Sequence, residues 1–331
     1  MESKTLKLLI VGAGPAGISL ASEARILGME ADNILMIDKA DTHSWVIRSL
    51  YPDKKLVTAN YKGMPAVCHG VMCLLDSTKD DTINYLDDAI KKTGVKVNYK
   101  EEVWKIESIG TPQEPLFDVQ TKKNTYRTKI IVIAIGIFGR PNKPTYKLPQ
   151  KLKGHIFFDV TSFNAEHKRI LVVGGGDSAS EFSQYLIEQG NEVTLSYRQQ
   201  SFIRMNSFNA GAAEALHKDN QLKVLFGSNI VEVQVSSNEK PLVCFEEDHL
   251  DDMEFDIVVY ALGGSTPENF LKSTGINFVD EAPDLTESGE STTPGLFIIG
   301  DLLAGKKGGS IAHAFNASKA TMEKIYNSYF T

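Results

Sequence analysis

The chain has 331 residues, of which 42% are hydrophobic and 23% charged, a balance typical of globular proteins with room for two domains. A formal net charge of −7 argues against nucleic-acid-binding and anionic-membrane-binding surfaces, which are basic. The longest apolar run, residues 130–138, is too short to span a bilayer. The first residues lead directly into an apolar strand, so we expect no signal peptide. Three cysteines predict no disulfide framework and a reducing, cytoplasmic setting.

The first recognisable unit covers residues 6–38. Residues 8–11 are all apolar, which predicts a strand buried on both faces. A glycine-rich turn follows at residues 12–17, then a helical pattern that ends at Gly28, and then a second apolar strand that ends at Asp38. This order of strand, glycine turn, helix, strand and acid predicts a dinucleotide site, with Asp38 accepting hydrogen bonds from a ribose.

A second copy of the unit begins at Arg169, beyond a proline-rich crossing at residues 139–149. Its strand is predicted at residues 170–173 and its turn at residues 174–179, where Ala179 replaces the last glycine. Repeated alternation of strand and helix predicts an α/β fold with doubly wound parallel sheets. No acid ends the second strand of this copy. Arg198 and Arg204 stand nearby instead, and they favour the 2′-phosphate of NADPH over NADH.

A last apolar strand, residues 296–299, ends in Gly300 and Asp301 and precedes a helix expected from about Ser310. Asp301 is placed to bind a ribityl chain, and the positive end of the helix would face a flavin ring. These features predict FAD at the first glycine turn and a diffusible nicotinamide dinucleotide at the second.

Four short sequence motifs together resemble those of a known family. They are GAGPAG at 12–17, Ala134-Ile-Gly136, GGGDSA at 174–179 and GLFIIGD at 295–301. The set is similar to the low-molecular-weight pyridine nucleotide–disulfide oxidoreductases, the thioredoxin-reductase-like flavoproteins, over essentially the whole chain. The resemblance implies two doubly wound Rossmann-like dinucleotide-binding domains, the second inserted into the first, in a homodimer. The FAD domain would comprise residues 1–143 and 264–331, and the NAD(P)H domain residues 144–263.

The same resemblance assigns site residues. The FAD diphosphate would be held by Gly12, Gly14, Pro15, Ala16 and Gly17, the ribose by Asp38 and the ribityl chain by Asp301. Asn60 would lie beside the flavin, a backbone group at Val103 would meet the adenine, and Ser310 and Ile311 would begin the flavin-facing helix. The other residues expected to bind FAD are Lys39, Ala134, Gly136 and Gly300. NADPH would be held by Gly174, Gly175, Gly176, Asp177, Ser178, Ala179, Arg198, Arg204 and Gly263. In that family a His-Arg-Arg motif binds the 2′-phosphate of NADPH, and the corresponding residues here are Tyr197-Arg198-Gln199. One arginine is therefore missing, and NADH stays open as the alternative coenzyme. No metal site is expected.

The CxxC of thioredoxin reductases has no counterpart. The matching stretch, residues 157–160, reads Phe-Phe-Asp-Val, so the thiolate chemistry of that site is excluded there. Cys68 and Cys73 show the four-residue gap of glutathione-reductase-type enzymes, but they lie thirty positions beyond Asp38. The preferred interpretation is two partly buried cysteines in a connecting segment, with a redox pair as the alternative. Cys244 is expected in a strand core.

Without a nearby disulfide, reduced flavin must pass its electrons to an external acceptor. The chain resembles the members that lack the CxxC, the NAD(P)H-dependent flavodoxin or ferredoxin reductases and flavodoxin:quinone reductases. The resemblance implies hydride transfer from NADPH to FAD and then electron transfer to flavodoxin, ferredoxin or a quinone. Three alternatives stay open: a disulfide reductase that uses Cys68 and Cys73, a flavin monooxygenase, and a non-catalytic FAD-binding sensor.

Overall fold

The computed structural model describes residues 4–51, 55–59, 67–136, 141–264, 267–280, 282–305 and 309–331. The chain folds into two units. The first contains Met1–Ser49, Leu56–Gly139 and Thr266–Thr331, and the second contains Leu50–Lys55 and Arg140–Ser265. Within the described ranges, no helix is both long enough and apolar enough to cross a membrane.

The first unit contains most of the elements. Its strands are β1 (Leu6–Val11), β2 (Ile34–Ile37), β3 (Leu56–Val57), β4 (Ser77–Thr78), β5 (Lys96–Asn98), β6 (Val103–Ser108), β7 (Phe117–Thr121) and β8 (Thr125–Ile133), with β17 (Phe278–Val279), β18 (Ala282–Pro283) and β19 (Leu296–Ile298) near the C-terminus. Its helices are α1 (Pro15–Ile26), α2 (Trp45–Leu50, which ends across the boundary), α3 (Lys79–Thr93), α6 (Glu268–Ser273), α7 (Asp301–Ala304) and α8 (Ile311–Tyr329).

The main sheet of this unit has the strand order β5-β2-β1-β8-β7-β6, and β19 also pairs with β8. β8 pairs with two partners on one side because its first half runs antiparallel to β7 and its last residues run parallel to β19. The central strands β2, β1, β8 and β19 are parallel and pair in register, with Val11 opposite Ile37 on one side and Ile133 on the other. Their carboxyl ends therefore meet at one edge, where ligands bind in open parallel sheets.

The second unit contains β9 (Ile156–Phe157), β10 (Arg169–Val173), α4 (Asp177–Glu188), β11 (Glu192–Tyr197), α5 (Ser207–Lys218), β12 (Leu222–Phe226), β13 (Ile230–Val235), β14 (Pro241–Phe245), β15 (Met253–Glu254) and β16 (Ile257–Tyr260). Its parallel sheet has the order β12-β11-β10-β16-β9, and β13, β14 and β15 form a separate antiparallel sheet. Side chains of β16 alternate between two cores: Ile257 and Val259 join the core with α4 and α5, and Val258 and Tyr260 join the core with β13 and β14. The parallel sheet is thus covered on both faces, which explains its nearly continuous apolar strands.

Candidate functional site

The glycine turn after β1 has three glycines with different physical requirements. Gly12 has φ +110°, and a Cβ there would collide with the carbonyl oxygen of Ala134. Gly17 packs directly against the carbonyl of Gly12. Gly14 differs from both, because its φ is −84° and no protein atom lies within 4 Å of where its Cβ would be. Neither backbone strain nor packing requires glycine at that position, but the close approach of a ligand would.

Asp38, at the end of β2, is fixed by two backbone groups. Its Oδ2 accepts from the Ala13 N–H at 2.7 Å, and its Oδ1 accepts from the Ala40 N–H at 2.8 Å. The carbonyl of Ala13 in turn accepts from Ser44 N at 2.9 Å, so the turn and the segment after β2 hold each other. Each carboxylate oxygen has a second lone pair, which leaves acceptor capacity for a ribose hydroxyl.

A buried histidine anchors the same segment to α3. The Nε2 atom of His43 lies 2.6 Å from Oδ1 of Asp87, and only 6% of His43 is exposed. Burial lowers the pKa of His43, although its hydrogen bond to Asp87 opposes the change. The sequence did not predict the pair of His43 and Asp87, because no local pattern links two residues that are 44 positions apart.

Asp301 is brought next to the same turn. Gly300, with φ +73°, would place a Cβ 3.1 Å from the Ala16 Cβ, and a Cβ on Gly136 would lie 3.8 Å from Oδ2 of Asp301. Gly309 packs so closely on Asp301 that a side chain there would collide with the carboxyl group. Burial raises the pKa of Asp301, and His313 partly opposes this shift. A carboxyl group in this position needs a hydrogen-bonding partner, which a ribityl hydroxyl would supply.

Helix α8 begins beside this cluster. The Oγ of its N-cap, Ser310, accepts from the His313 N–H at 3.1 Å, and the first turn contains no acidic residue. The Ser318 hydroxyl lies 3.0 Å from the carbonyl oxygen of Ala16 and connects α8 to the start of α1. Ser318 was not predicted, and it fixes the helix whose positive end is expected to face the flavin.

The other FAD candidates fall in several places. Ala134 donates its N–H to the Val11 carbonyl directly after β8, and Ile311 opens α8. Val103 begins β6 and is 7% exposed, and Lys39 is exposed after β2. Asn60 lies outside the described residues. The open position at Gly14, the two acids Asp38 and Asp301, and the helix starts of α1 and α8 together fit FAD.

The turn after β10 repeats the first one. Gly174 has φ +154° and would collide with the Ala261 carbonyl, as Gly12 would with Ala134. At Gly176 φ is −107°, and no atom lies within 4 Å of a Cβ position, as at Gly14. Gly175 packs on the buried ring of Tyr197, and Ala179 is fully buried. The open position at Gly176 fits the pyrophosphate of a second dinucleotide.

The remaining nicotinamide candidates divide into structural and exposed residues. Oδ1 of Asp177 accepts from the Asn206 N–H at 2.8 Å and from Asn209 Nδ2 at 3.1 Å, so this carboxylate holds the segment after β11. Ser178 is partly buried beside it. Arg198 and Arg204 are both exposed, and neither forms an ion pair with a carboxylate in the described part of the chain. Their guanidinium groups are available for a phosphate.

Gly263 follows β16 with φ +77°. Its carbonyl accepts from Asn142 N at 2.8 Å.

The first two cysteines of the chain lie five positions apart and are linked. Cys68 and Cys73 form a disulfide with a Cα–Cα distance of 5.2 Å; Cys68 is exposed and Cys73 partly buried, and a redox role of the pair stays a prediction. The segment between them folds back on itself, which brings the Cα atoms into the range that a disulfide requires. Cys244 lies buried in β14, as expected, and burial raises the pKa of its thiol to about 11.

Two glycine turns of this kind, each at the carboxyl edge of its own parallel sheet, indicate an oxidoreductase class that binds two dinucleotides. The family described as pyridine nucleotide-disulphide oxidoreductase matches residues 9–300. The chain belongs to this family, and its members are flavoprotein enzymes. The predicted family, fold class and enzyme class are confirmed.

Known proteins resemble the chain over nearly its full length. Bacilliredoxin reductase Bdr of Bacillus subtilis is 26% identical over 325 residues, with 92% of each chain covered. A ferredoxin–NADP reductase of Pelagibacter ubique is 26% identical over 302 residues, covering 89% of this chain and 82% of the relative. The crystal structure of T. acidophilum thioredoxin reductase superposes with a TM-score of 0.79 at 20% identity, covering 99% of this chain and 100% of the other. That structural likeness supports the fold.

Proposed function

We propose that this flavoprotein transfers a hydride from NADPH to FAD and then passes electrons to an external acceptor, a ferredoxin, a flavodoxin or a quinone. The observation that carries the proposal is the pair of open glycine positions, Gly14 and Gly176, followed by different groups at the next strand end. Asp38 after the first turn suits a free ribose, and Arg198 after the second suits a phosphorylated one. Residues 1–143 and 264–331 would hold FAD, and residues 144–263 would hold NADPH.

The bound flavin would supply the chemistry, because it accepts two electrons as hydride and can release them singly. The chain's own residues bind and orient the cofactors. The N–H groups at the start of α1 would bind the FAD diphosphate, and Asp301 would accept a ribityl hydrogen bond. The start of α8 presents a partial positive charge, which would stabilise negative charge on a flavin ring bound beside it.

An external acceptor is supported by two observations. The stretch that matches the thioredoxin reductase CxxC is residues 157–160, which contain no sulfur. Several similar proteins are named ferredoxin–NADP reductases. The family resemblance also supports a homodimer, and the chain would need only to leave one edge of the flavin accessible to its partner.

The proposal is tested by anaerobic titration of the purified yellow protein with NADPH and with NADH, followed by a panel of acceptors. We expect NADPH to bleach the flavin at a lower concentration than NADH does. We also expect a flavodoxin, a ferredoxin or a quinone to be reduced faster than a disulfide substrate. A protein whose flavin is not bleached by either coenzyme would be a sensor, and one that reduces the disulfide fastest would be a disulfide reductase. Either result would contradict the proposal.

Coenzyme choice depends on the exposed arginines. Changing Arg198→Gln together with Arg204→Gln should lower kcat/KM for NADPH by at least about 100-fold, because each charge-assisted contact with the phosphate contributes about 1.5–3 kcal/mol and the double variant removes two of them. The kcat/KM for NADH should change by less than about two-fold, since the adenosine ribose of NADH carries no phosphate that the two arginines could bind. Lys218→Gln, at the far end of α5, is the matched control that also removes an exposed cation. Equal losses with both coenzymes would contradict the assignment.

A further inference from the structure

A long stretch of this acidic chain contains only basic charges. Between Asp118 and Asp159 there are nine lysines and arginines and neither aspartate nor glutamate, although the whole chain has a formal net charge of −7. Four of these lysines lie within eleven consecutive residues of the second unit, and we call them the lysine patch: Lys143, Lys147, Lys151 and Lys153. Neither glycine turn contains them, so binding of the two dinucleotides does not explain why they are there.

The lysine patch faces the solvent. All four lysines are exposed, whereas their neighbours Tyr146, Leu148 and Leu152 pack into the core that β13, β14 and β16 share. The four ammonium groups therefore lie on the outer side of the segment. An extended chain advances at most about 3.6 Å per residue, so the first and last Cα atoms of the patch are at most about 36 Å apart. One small protein can cover such a surface.

The backbone under the lysine patch is held by the rest of the second unit. The Tyr146 hydroxyl lies 3.0 Å from the hydroxyl of Tyr260 in β16. Nδ1 of His155, just beyond the patch, lies 2.8 Å from the carbonyl oxygen of Asp256. Leu152, between the last two lysines, is fully buried. A partner that binds here would meet a preformed surface, so binding costs little ordering of the backbone.

The charge of the lysine patch is not neutralised within the second unit. In the described part of the chain, none of the four ammonium groups forms an ion pair with a carboxylate. Exposed lysines without partners add little to the stability of a fold, and like charges close together repel each other. A held, unpaired cluster of positive charge is instead suited to a partner of opposite charge.

We propose that the lysine patch is the docking surface for a small acidic protein that carries electrons, of the flavodoxin or ferredoxin kind. This inference rests on the proposed function and narrows its acceptor to a protein, because a neutral quinone gains nothing from a basic surface. Positive charge steers an acidic partner and raises its rate of association. Nucleic acids and anionic membranes are also negative, but they are extended and would meet the net negative charge of the whole chain. A small carrier covers the patch alone.

The first test measures binding and needs no NADPH, so its result is independent of electron transfer. The full-length flavoprotein is titrated by calorimetry at low salt with an oxidised flavodoxin and with an oxidised ferredoxin, both of strongly negative net charge. The patch variant combines Lys147→Gln, Lys151→Gln and Lys153→Gln. The matched control combines Lys168→Gln, Lys218→Gln and Lys223→Gln, which are exposed lysines of the same unit and change the net charge equally.

We expect the Kd for the carrier to rise by at least about 10-fold in the patch variant, because three favourable charge contacts are lost. It should rise by less than about two-fold in the control, and both variants should keep their flavin and melting temperature. Equal effects of the two variants would overturn the proposal. So would failure of the unchanged protein to bind either carrier, or tighter binding of duplex DNA or phosphatidylserine vesicles than of the carriers.

The second test measures turnover with NADPH as the electron donor. In the patch variant, kcat/KM for the protein carrier should fall by at least about 10-fold at low salt with kcat nearly unchanged, because the patch acts on the encounter. The difference should shrink at about 0.5 M salt, where the Debye length is only about 4 Å. Reduction of a neutral quinone should change by less than about two-fold.

The two tests separate failure of the docking surface from failure of the proposed function. A protein that reduces the quinone at a normal rate but neither binds nor reduces the carriers would refute the docking surface and leave hydride transfer from NADPH to FAD intact. A flavin that NADPH does not bleach would contradict the proposed function, and the binding measurement would still decide whether the lysine patch binds an acidic carrier.

Discussion

Replacing Gly14→Val is expected to give a folded protein that has lost its flavin. The backbone at this position is extended, with φ −84° and ψ −177°, a conformation that valine adopts readily. No protein atom lies within 4 Å of the Cβ position, so a Cβ there contacts no other part of the fold. A bound pyrophosphate would collide with the valine, because the side chain would occupy the space next to the N–H groups of α1.

The affinity for FAD should fall by at least about 100-fold, equivalent to about 2.8 kcal/mol. The measurement is the flavin-to-protein absorbance ratio after purification, with circular dichroism as the check on folding. Gly154→Val is the matched control, since Gly154 also has no atom within 4 Å of its Cβ position but lies at an exposed site in the second unit. Retention of a full complement of flavin by the Gly14→Val protein would remove the first turn from the FAD site.

Gly12 should behave differently from Gly14, and the comparison separates packing from ligand binding. A side chain at Gly12 meets the Ala134 carbonyl and is strained at φ +110°, so its replacement disturbs the protein itself. Both residues belong to one short motif, and the motif alone does not say which glycine serves the fold. The structure separates the two roles because it shows what each absent side chain would meet.

The sequence was informative where function depends on consecutive residues. Both glycine turns, Asp38 and Asp301 lie at strand ends, and a short apolar run followed by glycine or acid is visible without any tertiary information. Because parallel strands end at a common edge of a sheet, these strand ends meet in the folded chain. Gly300 accordingly lies close to Ala16.

Contacts between distant residues could not be predicted in this way. Ser318 reaches the Ala16 carbonyl across 302 positions, and Asn316 reaches Val67 across 249. The local sequence around a helical serine or asparagine does not indicate which distant residue its side chain will hydrogen-bond. The Cys68–Cys73 disulfide is a further case, because the spacing of the two cysteines is visible in the sequence but the contacts that fold the segment between them back on itself are not.

The second turn gives the complementary prediction. Gly176→Val should retain its flavin and lose its reaction with NADPH. The residue has φ −107° and ψ −178°, an extended backbone that valine adopts, and its Cβ position is free of protein atoms, as at Gly14. The nicotinamide dinucleotide loses its approach to the N–H groups of α4, and we expect its Kd to rise by at least about 100-fold, or about 2.8 kcal/mol.

The measurement is stopped-flow bleaching of the flavin by NADPH, with dithionite reduction as the control that the flavin itself remains competent. Gly154→Val should react as the unchanged protein does. A Gly176→Val protein that is yellow, is reduced by dithionite and is inert to NADPH would show that the two turns serve different nucleotides. Loss of the flavin, or a normal rate of reaction with NADPH, would contradict the assignment of the two turns to different nucleotides. A side chain that blocks one glycine turn can prevent binding only of the nucleotide that this turn holds.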